Sequence, residues 1–366
     1  MTPRTTTVDD RVGWAALVLG SAPGALLVLA TLGGVVPERV ALLAFAPSFV
    51  VLNLMHMAAA WARAYLGDPR TRARRAELVV FPAAAGLVAL GAEALGGAVL
   101  VLGVQYYLSI HHAVMQNYGV LRASQRGSGR ALSPASARLD LLACTLPVLA
   151  ALVARARRVH VYNHAPLATP PAGLSTALAV AAAAALVALG VRAWRASRRG
   201  EALDHTGLGL VYGTGLLWSA LLVGVRHPAL PIYALASGHY VQHLWFVRRA
   251  EQGTPAALAA LPDAWRRLAS PDRALGYLAF LGALGAGVTV ALSLAAVGLR
   301  ALAASAGLRH DDGLSLPPWG AAMLAINLHH YALEHRLWRA PTATGAAPAP
   351  RSDAPTPGSS PPPRFA

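Results

Sequence analysis

Asn327-Leu-His-His-Tyr-Ala-Leu-Glu-His-Arg-Leu-Trp-Arg339 closes the last apolar segment of the chain. Three histidines and a carboxylate sit at the end of a run that is otherwise Leu, Ala, Ile and Met. Hydrocarbon offers a polar side chain nothing to bond to, so such a cluster serves a site rather than the fold. Three other apolar segments end in the same way: Asn53 to His56, His111-His112-Ala-Val-Met-Gln116, and His239-Tyr-Val-Gln-His243. The chain reads as a scaffold that brings four helix ends together.

Composition supports a membrane setting. Of 366 residues, 55% are hydrophobic and 13% charged, against about 25% charged in an ordinary soluble domain. Ten apolar segments follow a polar N-terminus of residues 1–12: 13–36, 38–62, 77–93, 95–120, 138–155, 173–192, 206–225, 228–247, 274–298 and 316–337. Each approaches or exceeds the roughly 20 residues that a helix needs to cross a bilayer. The expected fold is all-α, a polytopic integral membrane helical bundle of about ten transmembrane helices. One helical domain occupies 13–339, and a Pro/Ala-rich tail at 340–366 is expected to be disordered. The first run lacks a convincing cleavage site, so no leader peptide is expected.

All 31 basic residues are arginine, and the net charge is +15. They cluster between apolar runs, as cytoplasmic loops do, and no nucleic-acid recognition fold accompanies them. With the N-terminus inside, only Arg39, Arg155, Arg157, Arg158, Arg226, Arg300 and Arg309 fall outside; the rest lie on inner segments or span ends. The expected location is therefore the inner membrane of a bacterium, with both termini cytoplasmic. In that orientation the four histidine sets lie within roughly 15 Å of the cytoplasmic helix ends, at similar depth. His160, His164, His205, His227 and His310 fall on connections and read as solvated histidines. The single cysteine, Cys144, excludes an intrachain disulfide or a thiolate metal cluster.

Imidazole is the commonest protein metal ligand. His239 and His243 stand at i, i+4, which stacks them on one helical face within reach of one ion. His330 and Glu334 repeat that spacing, with His329 offset by about 100°. The candidate ligands are His56, His111, His112, His239, His243, His329 and His330, enough for two metals. Glu334 and His335 are candidates for ligation or proton movement, and Asn53, Gln116, Asn117, Gln242 and Asn327 for orienting ring nitrogens.

This pattern resembles the membrane-embedded histidine-rich non-haem oxygenases. Isolated histidines on early helices (His56, His111 or His112) followed by His239-x-x-x-His243 are similar to the Brp/Blh-type carotene dioxygenases. Fatty acid desaturases and hydroxylases are more distant, because their His-x-x-x-His box followed by two His-x-x-His-His boxes is not present in that form. The resemblance supports an iron site and carries over no substrate. The leading expectation is a centre of two irons that activates O₂ against a lipid-soluble substrate, and because no dinucleotide fingerprint appears, any electron donor is expected to be a separate protein. Two alternatives use the same histidines: axial ligation of haem b in an electron-transfer protein, and an ion or proton path in a transporter.

Overall fold

The computed structural model describes residues 25, 29–31, 33–67, 75–95, 97–127, 133–158, 161–162, 165–166, 169–201, 208–227, 229–252, 262–308 and 316–337. The N-terminal segment 1–12, most of the first apolar run, the tail 340–366, the loop histidines His160, His164, His205 and His310, and the side chain of His335 lie outside them.

The described chain is helical: α1 Glu38–Trp61, α2 Arg75–Ala94, α3 Ala98–Gly127, α4 Pro134–Ala156, α5 Ala172–Arg198, α6 Leu216–Gly224, α7 Leu230–Gln252, the short α8 Asp263–Ala269, α9 Ala274–Ser305 and α10 Pro318–Leu337. Among the described residues, extended structure is limited to Val161–Tyr162 paired antiparallel with Ala165–Pro166. A π-helical turn, Ala62–Gly67, continues α1, and another, Gly209–Gly215, leads into α6.

Among the described residues, six helices are long and apolar enough to cross a membrane: α1 with its π turn, α2, most of α3, α4, α5 and α9. The ten apolar runs do not all reach that standard. Run 206–225 divides into a π turn and the nine-residue α6. Helices α7 and α10 have 23 and 20 residues, but histidines, amides and Glu334 dilute their apolar character. Leu43, Leu87, Val104, Val180 and Leu294 are exposed, so the outer faces of these helices are themselves apolar.

Local chemistry fixes the ends. Ser133 caps α4 by accepting the Ser136 N–H at 3.2 Å, with Pro134 in the first turn. α9 stops at Gly307, whose φ of +67° suits glycine, and the Leu308 N–H reaches back to Ala303 O at 2.9 Å. The buried Arg155 of α4 donates to Leu222 O at 2.9 Å, Val225 O at 2.8 Å and His227 O at 2.7 Å. It thereby satisfies carbonyls where α6 ends. His227 is more than a solvated loop residue: its Nδ1 accepts the Ala229 and Leu230 N–H groups at 3.2 and 3.3 Å, capping α7.

Two assemblies result. α4 packs on α5 and α6, and Arg192 pairs there with the buried Asp140. α1 packs on α7 and α9, while α10 packs on α2 and α9 and also touches α1 and α3. The buried Glu93 of α2 pairs with Arg300 of α9 and accepts the Leu316 N–H at 2.9 Å, holding the chain where it enters α10. α1, α3, α7 and α10 are the four helices that carry the histidine sets.

Candidate metal centre

Each of the four helices contributes a buried or nearly buried polar face. On α3, Gln105, Ser109, His112 and Gln116 fall at i, i+4, i+7 and i+11, one stripe of the helix. On α7 the pair His239 and His243 does the same, as His330 and Glu334 do on α10. His56 enters from α1 and is fully buried.

These stripes converge. The His56 ring lies 4.2 Å from His243, 4.3 Å from His330 and 4.8 Å from His239, centroid to centroid. His112 stands 5.0 Å from both His239 and His330. His56 Nδ1 and His243 Nδ1 are in direct contact, and His112 Nε2 is 3.2 Å from His330 Nε2. Glu334 lies among them. Its Oε1 is 2.8 Å from His243 Nδ1 and 3.8 Å from His330 Nε2, and its Oε2 is 3.1 Å from His112 Nε2.

Donor atoms from His56, His112, His330 and Glu334 all lie within 4.8 Å of one another. Ligands about 2.0–2.2 Å from a shared ion lie about 3.3–3.6 Å apart in a tetrahedral site, so these four donors would have to close in by roughly an ångström through side-chain rotation to share one. His243 and His239 flank the group. His56 Nε2, His239 Nδ1 and His330 Nδ1 are buried without a hydrogen-bond partner among the described residues. Five imidazoles around one carboxylate, with ring nitrogens left unpaired, is a donor set that fits a cation. A buried His56/His112/His330/Glu334 group able to hold a metal ion is thus present.

Other expected residues stand elsewhere. His111 is exposed, because the α3 stripe that carries His112 turns its neighbour about 100° away. His329 is displaced in the same way from His330: its Nε2 meets the Tyr65 hydroxyl at 3.1 Å and its ring stacks on Trp61. Among the amides, Gln116 donates to the His239 carbonyl at 3.0 Å, tying α3 to α7. Asn53, Asn117 and Gln242 are buried, with Asn53 Oδ1, Asn117 Oδ1 and both Gln242 amide atoms unpartnered among the described residues. Asn327 lines a cavity of about 70 Å³ that also reaches His56, His112 and His239.

Tyr331 also lines that cavity, and sequence reading passed it over. Its ring packs 4.8 Å from His112. Ser109 donates its hydroxyl hydrogen to Gln105 O at 2.8 Å, so the 2.6 Å contact between Tyr331 and Ser109 runs from the tyrosine hydroxyl to Ser109 Oγ. The α3 stripe that holds Gln105, Ser109 and His112 on one face was the available signal for this site. No family model, no curated protein and no solved structure matches this chain.

Proposed function

We propose that the chain is a membrane-embedded, metal-dependent oxidoreductase in which iron, as two ions, sits at the cytoplasmic ends of α1, α3, α7 and α10 and acts on a lipid-soluble substrate. The observation that carries this is the convergence of five histidines from four helices on the buried Glu334. Its two oxygens face different histidines, His243 on one side and His112 on the other, so the carboxylate would serve as a ligand beside either. His56, His112 and His330 are the first ligands on this reading, with His239 and His243 completing the set. Mixed imidazole and carboxylate ligation suits iron, which when bound supplies oxygen activation.

The chain's own residues do the rest. Gln116 holds the backbone of α7 at His239, and Tyr331, fixed by Ser109, holds the His112 ring in place. The cavity of about 70 Å³ beside His56, His112 and His239 has room for a molecule the size of O₂ or water. Phe49, Trp218 and Ile232 give part of its wall an apolar lining.

Two features count against haem at this cluster. The imidazoles pack directly on one another at 4.2–5.0 Å between centroids for the nearest pairs, leaving no slot for a macrocycle. The adjoining cavity is also far smaller than a porphyrin. The test is incubation of the reduced, iron-loaded protein with a total lipid extract under isotopically labelled dioxygen. A neutral lipid should gain the label with wild type and not with His330→Ala. Absence of labelled lipid with iron-replete wild type would overturn the oxygenase assignment.

A further inference from the structure

Behind the α1–α10 pair lies a second cavity, a groove of about 380 Å³ between α1, α2, α9 and α10. At about 100° per residue, Trp61 lies about 140° round α1 from His56, and His329 about 100° round α10 from His330. Groove and histidine cluster therefore stand back to back, and a groove ligand meets a different set of side chains. Its walls include Leu284, Val288 and Leu292 of α9 and Ile326 of α10. Leu66, itself 40% exposed, also lines it and connects it with the outer surface.

The polar groups lining the groove are His329, Tyr65 and Trp61, whose buried Nε1–H has no acceptor among the described residues, and the hydrogens of the first two can be assigned. Pro82 has no N–H, so the Leu78 carbonyl four residues earlier loses its helical donor. The Tyr65 hydroxyl, carried on the π turn, donates to that carbonyl at 2.8 Å. With its hydrogen committed, the Tyr65 oxygen accepts from His329 Nε2 at 3.1 Å. Nε2 therefore carries the ring proton, and Nδ1 keeps a lone pair with no hydrogen-bond donor among the described residues.

We propose that this groove binds a neutral, lipid-soluble molecule bearing a hydroxyl, whose O–H donates to His329 Nδ1. The volume lies in the range of small-molecule sites. No Asp, Glu, Lys or Arg is among its lining residues, so a carboxylate or phosphate head would be buried without a permanent counter-charge. An aldehyde or quinone has no hydrogen to give an acceptor nitrogen. Long-chain isoprenoid alcohols and quinols share the required chemistry. The site stands on the groove and its hydrogen-bond chain, and holds whether or not the histidine cluster carries metal.

The test uses full-length protein in detergent and a photoactivatable diazirine analogue of farnesol, with cross-links mapped on peptides. Labelling should fall near Tyr65 or His329. Unlabelled farnesol should protect about fivefold better than farnesal, the difference that one neutral hydrogen bond makes. A short-tailed quinol should outcompete its quinone in the same way, and the stronger of farnesol and quinol names the source. His329→Phe should erase the alcohol–aldehyde difference, and Leu284→Trp should fill the groove and abolish labelling. Both variants are checked by their thermal unfolding midpoints. His56→Ala should leave labelling intact, separating this site from the metal centre. Equal protection by alcohol and aldehyde, or unchanged labelling in folded Leu284→Trp, overturns the proposal.

Discussion

Glu334 is the only carboxylate within the histidine cluster among the described residues, and each of its oxygens faces a different imidazole. Glu334→Gln keeps the shape of the side chain and removes the charge. Retained affinity for iron should fall at least about tenfold, a typical loss for groups that tune a metal site. Titration of the apo-protein with iron(II) checks this; unchanged affinity would take Glu334 out of the ligand set. At this scale much of the site was legible. The i, i+4 pairs His239/His243 and His330/Glu334 turn up together because spacing alone fixes which residues share a helix face. The neighbouring pairs His111/His112 and His329/His330 were not separable by spacing, since the choice depends on which face a helix buries. For α3 the polar stripe from Gln105 to Gln116 held that answer, and His111 lies off it. For α10 the choice rests on tertiary contacts with Trp61 and Tyr65, which no local pattern records. The pairing of Tyr65 with Leu78 was hidden for the same reason: Pro82 frees a carbonyl whose new donor comes from a different helix.

Helix α9 lies unusually close to α1. A Cβ built on Gly285 would stand 2.6 Å from Leu54 O, a backbone atom that cannot swing aside. One built on Gly282 would meet only the flexible end of Met55, at 3.4 Å. Gly285→Ala should therefore cost about 1–3 kcal/mol by forcing the helices apart. Gly282→Ala should stay within about 0.5 kcal/mol of wild type. Paired thermal or denaturant unfolding in detergent checks the contrast, and equal effects would contradict the close approach. Because His56 follows Leu54 on α1, Gly285→Ala should also loosen metal retention, while Gly282→Ala should not. Nothing in the sequence singles out Gly285 among the glycines of α9, because the constraint is a contact with another helix. The helices themselves were readable from their apolar runs. Their finer form was not: the π turns at Ala62–Gly67 and Gly209–Gly215 change the hydrogen-bond ladder without changing hydrophobicity.

For the molecule as a whole, the orientation proposed from the arginine distribution turns the arginine-rich helix ends to the cytoplasm; His56 and Glu334 lie near the C-terminal ends of α1 and α10, and His112, His239 and His243 near the middle of α3 and α7. With Cys144 replaced by alanine, Ser305→Cys should react with an impermeant maleimide on intact cells, and Ser197→Cys only after lysis. The reverse pattern would place the cluster at the outer face. Both serines are exposed and lie at opposite ends of the bundle in this orientation, Ser197 near the end of α5 and Ser305 at the end of α9. Composition and spacing made apolar helices compatible with a membrane protein legible, whereas the number of helices long and apolar enough to span, six among the described residues, did not follow from apolar runs alone. Helices α7 and α10 are of spanning length, yet they carry the polar residues that make the site. The most direct test of the central claim is metal analysis of the detergent-purified protein, with a visible spectrum on the same sample, for wild type and His330→Ala. Wild type should retain about two irons per chain, as a two-metal site requires, without an intense Soret band, and His330→Ala should lose them while remaining folded. Folded wild type without metal, or His330→Ala with a full complement of iron, would contradict a metal centre at this cluster.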